Sequence, residues 1–110
     1  MAGQTDEELI AQYRLAPASP RGRLLIDELF ERHRARVVAW CYRFVGDSTA
    51  APDLAQDVFI KAYTGLDAFR TDAKFTTWLY VITRNRCMDE VRSRASQPRA
   101  VSEEALIEAE

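Results

Sequence analysis

Apolar residues recur along this chain at three- and four-residue steps and show no sustained two-residue alternation, so the pattern predicts helices and no sheet. Thr5 reads as the N-cap of a first helix over Asp6–Leu15, with Asp6, Glu7 and Glu8 in the first turn, where the helix dipole favours acids. Ala16-Pro17-Ala18-Ser19-Pro20 breaks it, and Ser19-Pro20 supplies the cap and first position of a second helix. Its stripe runs through Leu24, Leu25, Leu29, Phe30, Val37, Val38, Cys41, Tyr42 and Val45, and Gly46 reads as its C-terminal cap.

A third helix is expected to start at Ser48 or Thr49, because Pro52 is tolerated only in a first turn. Leu54, Val58, Phe59, Ala62, Tyr63 and Leu66 form its apolar stripe, while Asp53, Gln56, Asp57, Lys61 and Thr64 lie largely on the other side. A loop over about 67–73 leads to a fourth helix over about 74–94. That helix is densely apolar in its first half, which implies contact on several sides, and basic and polar in its second. Residues 95–99 read as a linker, and Ser102-Glu103-Glu104 as a cap for a short terminal helix with little apolar surface. The fold class is all-α, a compact bundle of about four helices.

A length of 110 residues allows one small domain, and 47% hydrophobic with 29% charged residues is a soluble globular composition. No apolar run reaches the ~18–20 residues that span a bilayer, and the N-terminus lacks the basic start and apolar segment of a secretory signal. Cys41 and Cys87 are far apart in sequence and make neither a disulfide framework nor a zinc spacing, so a cytoplasmic protein with reduced thiols is expected. The net charge of -2 hides blocks of alternating sign: acidic over 1–20, basic over 21–43, acidic over 47–72, basic over 74–94 and acidic from 95 onward. Such blocks suit faces for different partners, one of them a polyanion, or a mixed solvated surface.

Groups for catalysis are thin. His33 is the only histidine and stands in a hydrophilic stretch without metal-ligand partners, which favours a solvated or packing role. Cys41 falls on the apolar stripe, and Cys87 lies among basic residues that would lower its pKa, with no histidine to complete a nucleophile pair. The four glycines are isolated, so there is no phosphate loop. No enzyme, cofactor or metal is expected. Two features suit binding better. The polar face of the third helix, with Asp53, Asp57, Lys61 and Thr64 and Gln56 at its flank, fits a basic or mixed partner helix or is simply solvated. In the loop and fourth helix, Phe69, Arg70, Lys74, Phe75, Trp78, Tyr80, Arg84, Asn85 and Arg86 interleave aromatic with basic and amide groups, as single-stranded nucleic acid requires. Thr71 and Asp72 are placed to bond a base edge, and Phe75, Trp78 and Leu79 also read as core.

The run from Asp53 to Tyr63, DLAQDVFIKAY, resembles the core-polymerase-binding segment of bacterial sigma factors. Leu66-Asp67-Ala68-Phe69-Arg70 follows at that family's spacing, then FTTWLYVI from Phe75 to Ile82, Arg84-Asn85-Arg86 and DEVRSR from Asp89 to Arg94. In this order the motifs are similar to region 2 of the extracytoplasmic-function (ECF, group 4) sigma factors. Any one of them is weak; five in register are specific.

The resemblance implies a helical domain of sigma-factor region 2 type over 1–95, and a linker or short helix over 96–110 pointing toward a region 4 that the sequence does not contain. It implies a transcription initiation module in which Asp53, Gln56, Asp57 and Lys61 dock on the clamp coiled coil of the largest subunit of core RNA polymerase. The loop over 69–74 and the next helix would melt the promoter -10 element and capture a flipped base of the non-template strand. The DNA-binding residues implied are Phe69, Arg70, Thr71, Asp72, Lys74, Tyr80, Arg84, Asn85, Arg86 and Arg92, with Arg94 also on phosphate. An anti-sigma factor is a further partner that family membership implies. A sigma-like helical interaction module without DNA binding is the alternative.

Overall fold

The computed structural model describes residues 3–96, in which four α-helices and one 3-10 turn follow the punctuation of the sequence. They are α1 (Asp6–Leu15), α2 (Pro20–Val45), α3 (Ala51–Gly65), the 3-10 turn Leu66–Ala68, and α4 (Phe75–Ala95). No strand occurs among the described residues, and the expected terminal segment over 97–110 lies outside them. Thr5 and Glu8 close a reciprocal capping box at the start of α1, at 3.1 and 2.9 Å. Ser19 accepts from the Gly22 N–H at 3.0 Å, and Gly46 ends α2 with φ 76°. Gly22 has a steric reason as well: a Cβ there would lie 2.4 Å from the Ala16 carbonyl oxygen, so glycine lets α1 turn tightly into α2.

The start of α3 differs from expectation. Asp47 accepts from the N–H groups of Thr49 and Ala50 at 2.9 and 3.1 Å, and its own carbonyl accepts from Ala51. That turn occupies residues 48–50, so the helix begins at Ala51 rather than Ser48 or Thr49. The bond from Ala50, with support from Thr49 and Arg94, holds the Asp47 carboxyl below its ordinary value.

α2, α3 and α4 pack on one another. Leu25, Leu29, Val37 and Cys41 of α2 meet Leu54, Val58 and Ala62 of α3 and Phe75, Leu79 and Cys87 of α4 in one buried cluster. α1 lies antiparallel on the first half of α2, with Asp6 at His33 and Gln12 at Arg21. His33 takes the packing role: it is 4% exposed, Arg36 donates to its Nδ1 at 2.9 Å, and its Nε2–H donates to Asp6 at 2.8 Å. Leu24, Tyr42 and Tyr63, placed on stripes by the sequence pattern, are more than half exposed, while Ala51 and Ala55 complete the buried face of α3. Nor is the first half of α4 covered all round, since Tyr80 and Val81 reach solvent.

The two cysteines, both free, are buried in the same core cluster between α2 and α4. Burial pushes Cys41 up to about 12, and burial also raises Cys87 despite the neighbouring Arg86, the opposite of the lowered thiol expected from its basic sequence neighbours. Under the loop, Phe69, Phe75 and Trp78 stack at centroid distances of 5.3 to 5.7 Å, with Phe69 only 3% exposed.

Two outcomes follow from this packing. Both thiols stay protonated well above neutral pH, so iodoacetamide at pH 8 labels the native protein slowly and the urea-unfolded chain fast; rapid native labelling would contradict their burial. Phe69→Ala empties an aromatic core site and lowers unfolding stability in urea by about 3–5 kcal/mol, whereas a loss near zero would place that ring at the surface.

Candidate nucleic-acid and partner-docking surfaces

The segment between the 3-10 turn and α4 has backbone groups that no helix satisfies, and α1 supplies their partners. Arg14 donates through one guanidinium nitrogen to the Leu66 carbonyl at 2.7 Å and to the Phe69 carbonyl. At the other end Lys74 caps α4 without a side-chain bond, and the Glu7 carboxylate accepts the Phe75 N–H at 2.9 Å. A carboxylate there also suits the positive end of the helix dipole. Between these two anchors, Ala73 N–H closes a turn on the Arg70 carbonyl at 3.0 Å. Arg70, Thr71, Asp72 and Lys74 are exposed on that turn, and Arg70 and Asp72 form a solvent-screened pair. Phe69 is different from the other predicted loop residues: its ring supports the loop from beneath. The sequence reading overlooked Glu7 and Arg14, whose partners stand 68, 52 and 55 residues away and leave no mark on local spacing.

Along α4 the predicted phosphate contacts divide into two sets. Arg86 donates twice to Asp57 at 3.0 and 3.2 Å and lies 3.5 Å from Glu90. Arg92 pairs with Asp89, and Arg94 bridges Glu90 and Asp47 at 2.9 and 3.2 Å. Hydrogen bonding to Arg94 holds the Glu90 carboxyl below its ordinary value. Lys74 and Arg84, in contrast, form no ion pair among the described residues, and Asn85 beside them is exposed. Tyr80 is 38% exposed and its ring meets Trp40 and Phe44 of α2.

The polar face of α3 presents Asp53, Gln56 and Lys61 to solvent, while Asp57 turns toward α4 and is held by Arg86. Thus two residues assigned by sequence to different surfaces, Asp57 and Arg86, are bonded to each other. Next to Gln56 a groove of about 590 Å³ opens between α2 and α3, lined by Phe30, Arg34 and Val38 on one side and Phe59, Ile60 and Tyr63 on the other. The sequence pattern hid it, because Phe59 and Tyr63 read as core. Among the described residues there is no metal-holding group of three or more His, Cys, Asp or Glu, and no helix is long and apolar enough to cross a membrane.

Comparison with known proteins places the chain in a family. The model for Sigma-70 region 2 matches residues 29–97. The ECF RNA polymerase sigma factor SigW of Bacillus subtilis is 36% identical over 67 residues, 61% of this chain and 36% of that protein. The RNA polymerase sigma-H factor of Pseudomonas aeruginosa is 39% identical over 72 residues, 66% of this chain and 37% of the relative. The ECF RNA polymerase sigma-E factor of Escherichia coli is 39% identical over 82 residues, 74% and 42% respectively. The chain therefore spans well under half the length of these relatives. Among solved structures, an engineered region 2 of sigmaE in complex with GTAAAA superposes with a TM-score of 0.73 at 30% identity, covering 91% of this chain and 96% of that one. With the family model matched over more than half its length, and with the helical order and fold in agreement, this chain belongs to the Sigma-70 region 2 family and is homologous to ECF sigma factors.

Proposed function

We propose that the chain binds core RNA polymerase through α3 and reads the promoter -10 element through the loop over 69–74 and α4. The single observation that carries this reading is the exposed turn held at both ends by α1 and followed by Lys74 and Arg84, unpaired among the described residues, on a fold similar to a region 2 solved with GTAAAA. Extruding a base costs a few kcal/mol of stacking and pairing, so a turn already fixed in shape recovers that cost only for a base that fits. Thr71 and Asp72 offer hydrogen-bonding groups to such a base, with Arg70 beside them. Lys74, Arg84 and Asn85 take the flanking strand. Arg86, Arg92 and Arg94 serve first in ion pairs, so their share of phosphate binding is smaller than their charge suggests.

Asp53, Gln56 and Lys61, with Asp57 fixed by Arg86, form the face for the clamp coiled coil of the largest polymerase subunit. The apolar groove beside Gln56 gives a partner helix something to bury. In this reading residues 1–95 are the region 2 unit and 96–110 the segment toward a region 4, the protein is a non-catalytic cytoplasmic factor, and an anti-sigma factor that covers either face would silence it.

Two binding measurements test the proposal. Asp53→Arg, on an exposed position, weakens binding to a clamp coiled-coil fragment by about tenfold or more, ~1.4 kcal/mol, and leaves binding to single-stranded GTAAAA unchanged. Lys74→Ala and Arg84→Ala do the reverse, and each lowers the salt dependence of strand binding by about 0.7 in log-log slope. A folded chain that binds the coiled coil and no strand is the interaction module without DNA binding; one that binds neither overturns the proposal.

A further inference from the structure

Gly22, Ile26, Leu29, His33, Arg36, Trp40 and Arg43 follow alternating steps of four and three, one continuous stripe along α2. The first four are buried under α1, whose first residue, Asp6, meets His33. Beyond that point α1 is no longer there, and the same stripe presents Arg36 and Arg43 exposed and Trp40 half-buried. α4 runs alongside in the same direction, with Phe75 beside His33 and Arg94 beside Asp47. It adds Tyr80, which meets Trp40 edge-on at 5.0 Å and Phe44 at 5.8 Å. The result is a ladder of three partly open rings, starting about 9 Å along α4 from the loop at 1.5 Å per residue.

Its charge is one-sided. Arg43 and Arg84 form no ion pair among the described residues, and Arg36 donates to Nδ1 of His33. We infer that Trp40, Phe44 and Tyr80, flanked by Arg36, Arg43 and Arg84, form a second base-stacking surface that receives the single strand after it leaves the loop. The inference rests on the proposed strand-binding reading and extends it to α2. Trp40 and Phe44 pack on the core with part of each ring left open, and Tyr80 is exposed beside them; such open ring surface stacks unstacked bases of any sequence, and the neighbouring guanidinium groups take the phosphates between them. Continuity with the loop and the excess of positive charge select a single strand over an apolar helix as occupant.

The test uses the full chain and GTAAAA extended by six thymidines at either end, with single abasic sites moved along each strand. In the wild-type chain, one set of abasic positions reports the base held by the loop and a separate set reports the ladder, each with a loss of about tenfold. Trp40→Ala lowers affinity for the intact strand and makes the second set silent while sparing the first; Trp40→Phe restores it. Arg43→Ser, at an exposed site that leaves folding intact, lowers the log-log salt slope by about 0.7. Equal losses for every strand with Trp40→Ala, or no loss with either variant, overturn the ladder and leave the loop reading standing. Failure of the wild-type chain to bind any of the strands overturns both.

Discussion

The loop between the 3-10 turn and α4 depends on two side chains of α1. Arg14 closes the carbonyls of Leu66 and Phe69, and Glu7 closes the first N–H of α4. Buried or half-buried backbone groups without partners destabilise a fold by more than a made hydrogen bond stabilises it, so a loop emerging from a helical bundle needs donors and acceptors from elsewhere. With both ends fixed and Phe69, Phe75 and Trp78 packed beneath, the turn over 70–73 has little freedom left to lose when a ligand arrives. The first helix, far from the loop in sequence, thereby becomes part of the site.

Ion pairing then sorts the surfaces. The basic block of α4 looks uniform in sequence, yet Arg86, Arg92 and Arg94 are each bound to carboxylates, while Arg84 forms no ion pair among the described residues. These pairs are partly exposed and individually weak, yet they neutralise much of the positive charge that the sequence of α4 suggests. The Asp57–Arg86 bridge also stiffens the contact between α3 and α4, so the polar face of α3 and the basic half of α4 share one bonded seam.

The elements were legible because their determinants are local. Thr5, Ser19 and Gly46 cap where their side-chain chemistry and backbone freedom dictate, and the three- and four-residue steps of α2 and α3 mark most of the core. The start of α3 was misplaced because Asp47 forms a turn that competes with a helix cap. Exposure followed from local polarity as well: Thr71, Asp72, Lys74 and Arg84 all lie at the surface. What escaped were pairings set by how helices cross. Arg14 with the loop carbonyls, Asp57 with Arg86 and Cys41 with Cys87 each join residues whose nearness no spacing encodes. Phe69 was misjudged for the same reason, since only the arrival of Phe75 and Trp78 over it decides that its ring is core.

Hydrogen exchange of the free chain, followed amide by amide, tests the central claim that α1 fixes the loop over 69–74 before any ligand binds. The account predicts that Arg14→Ala speeds exchange over residues 69–75 by about tenfold or more while Val37 in α2 and Thr83 in α4 keep their protection. Unchanged exchange in the loop, or an equal rise throughout the bundle, would contradict it.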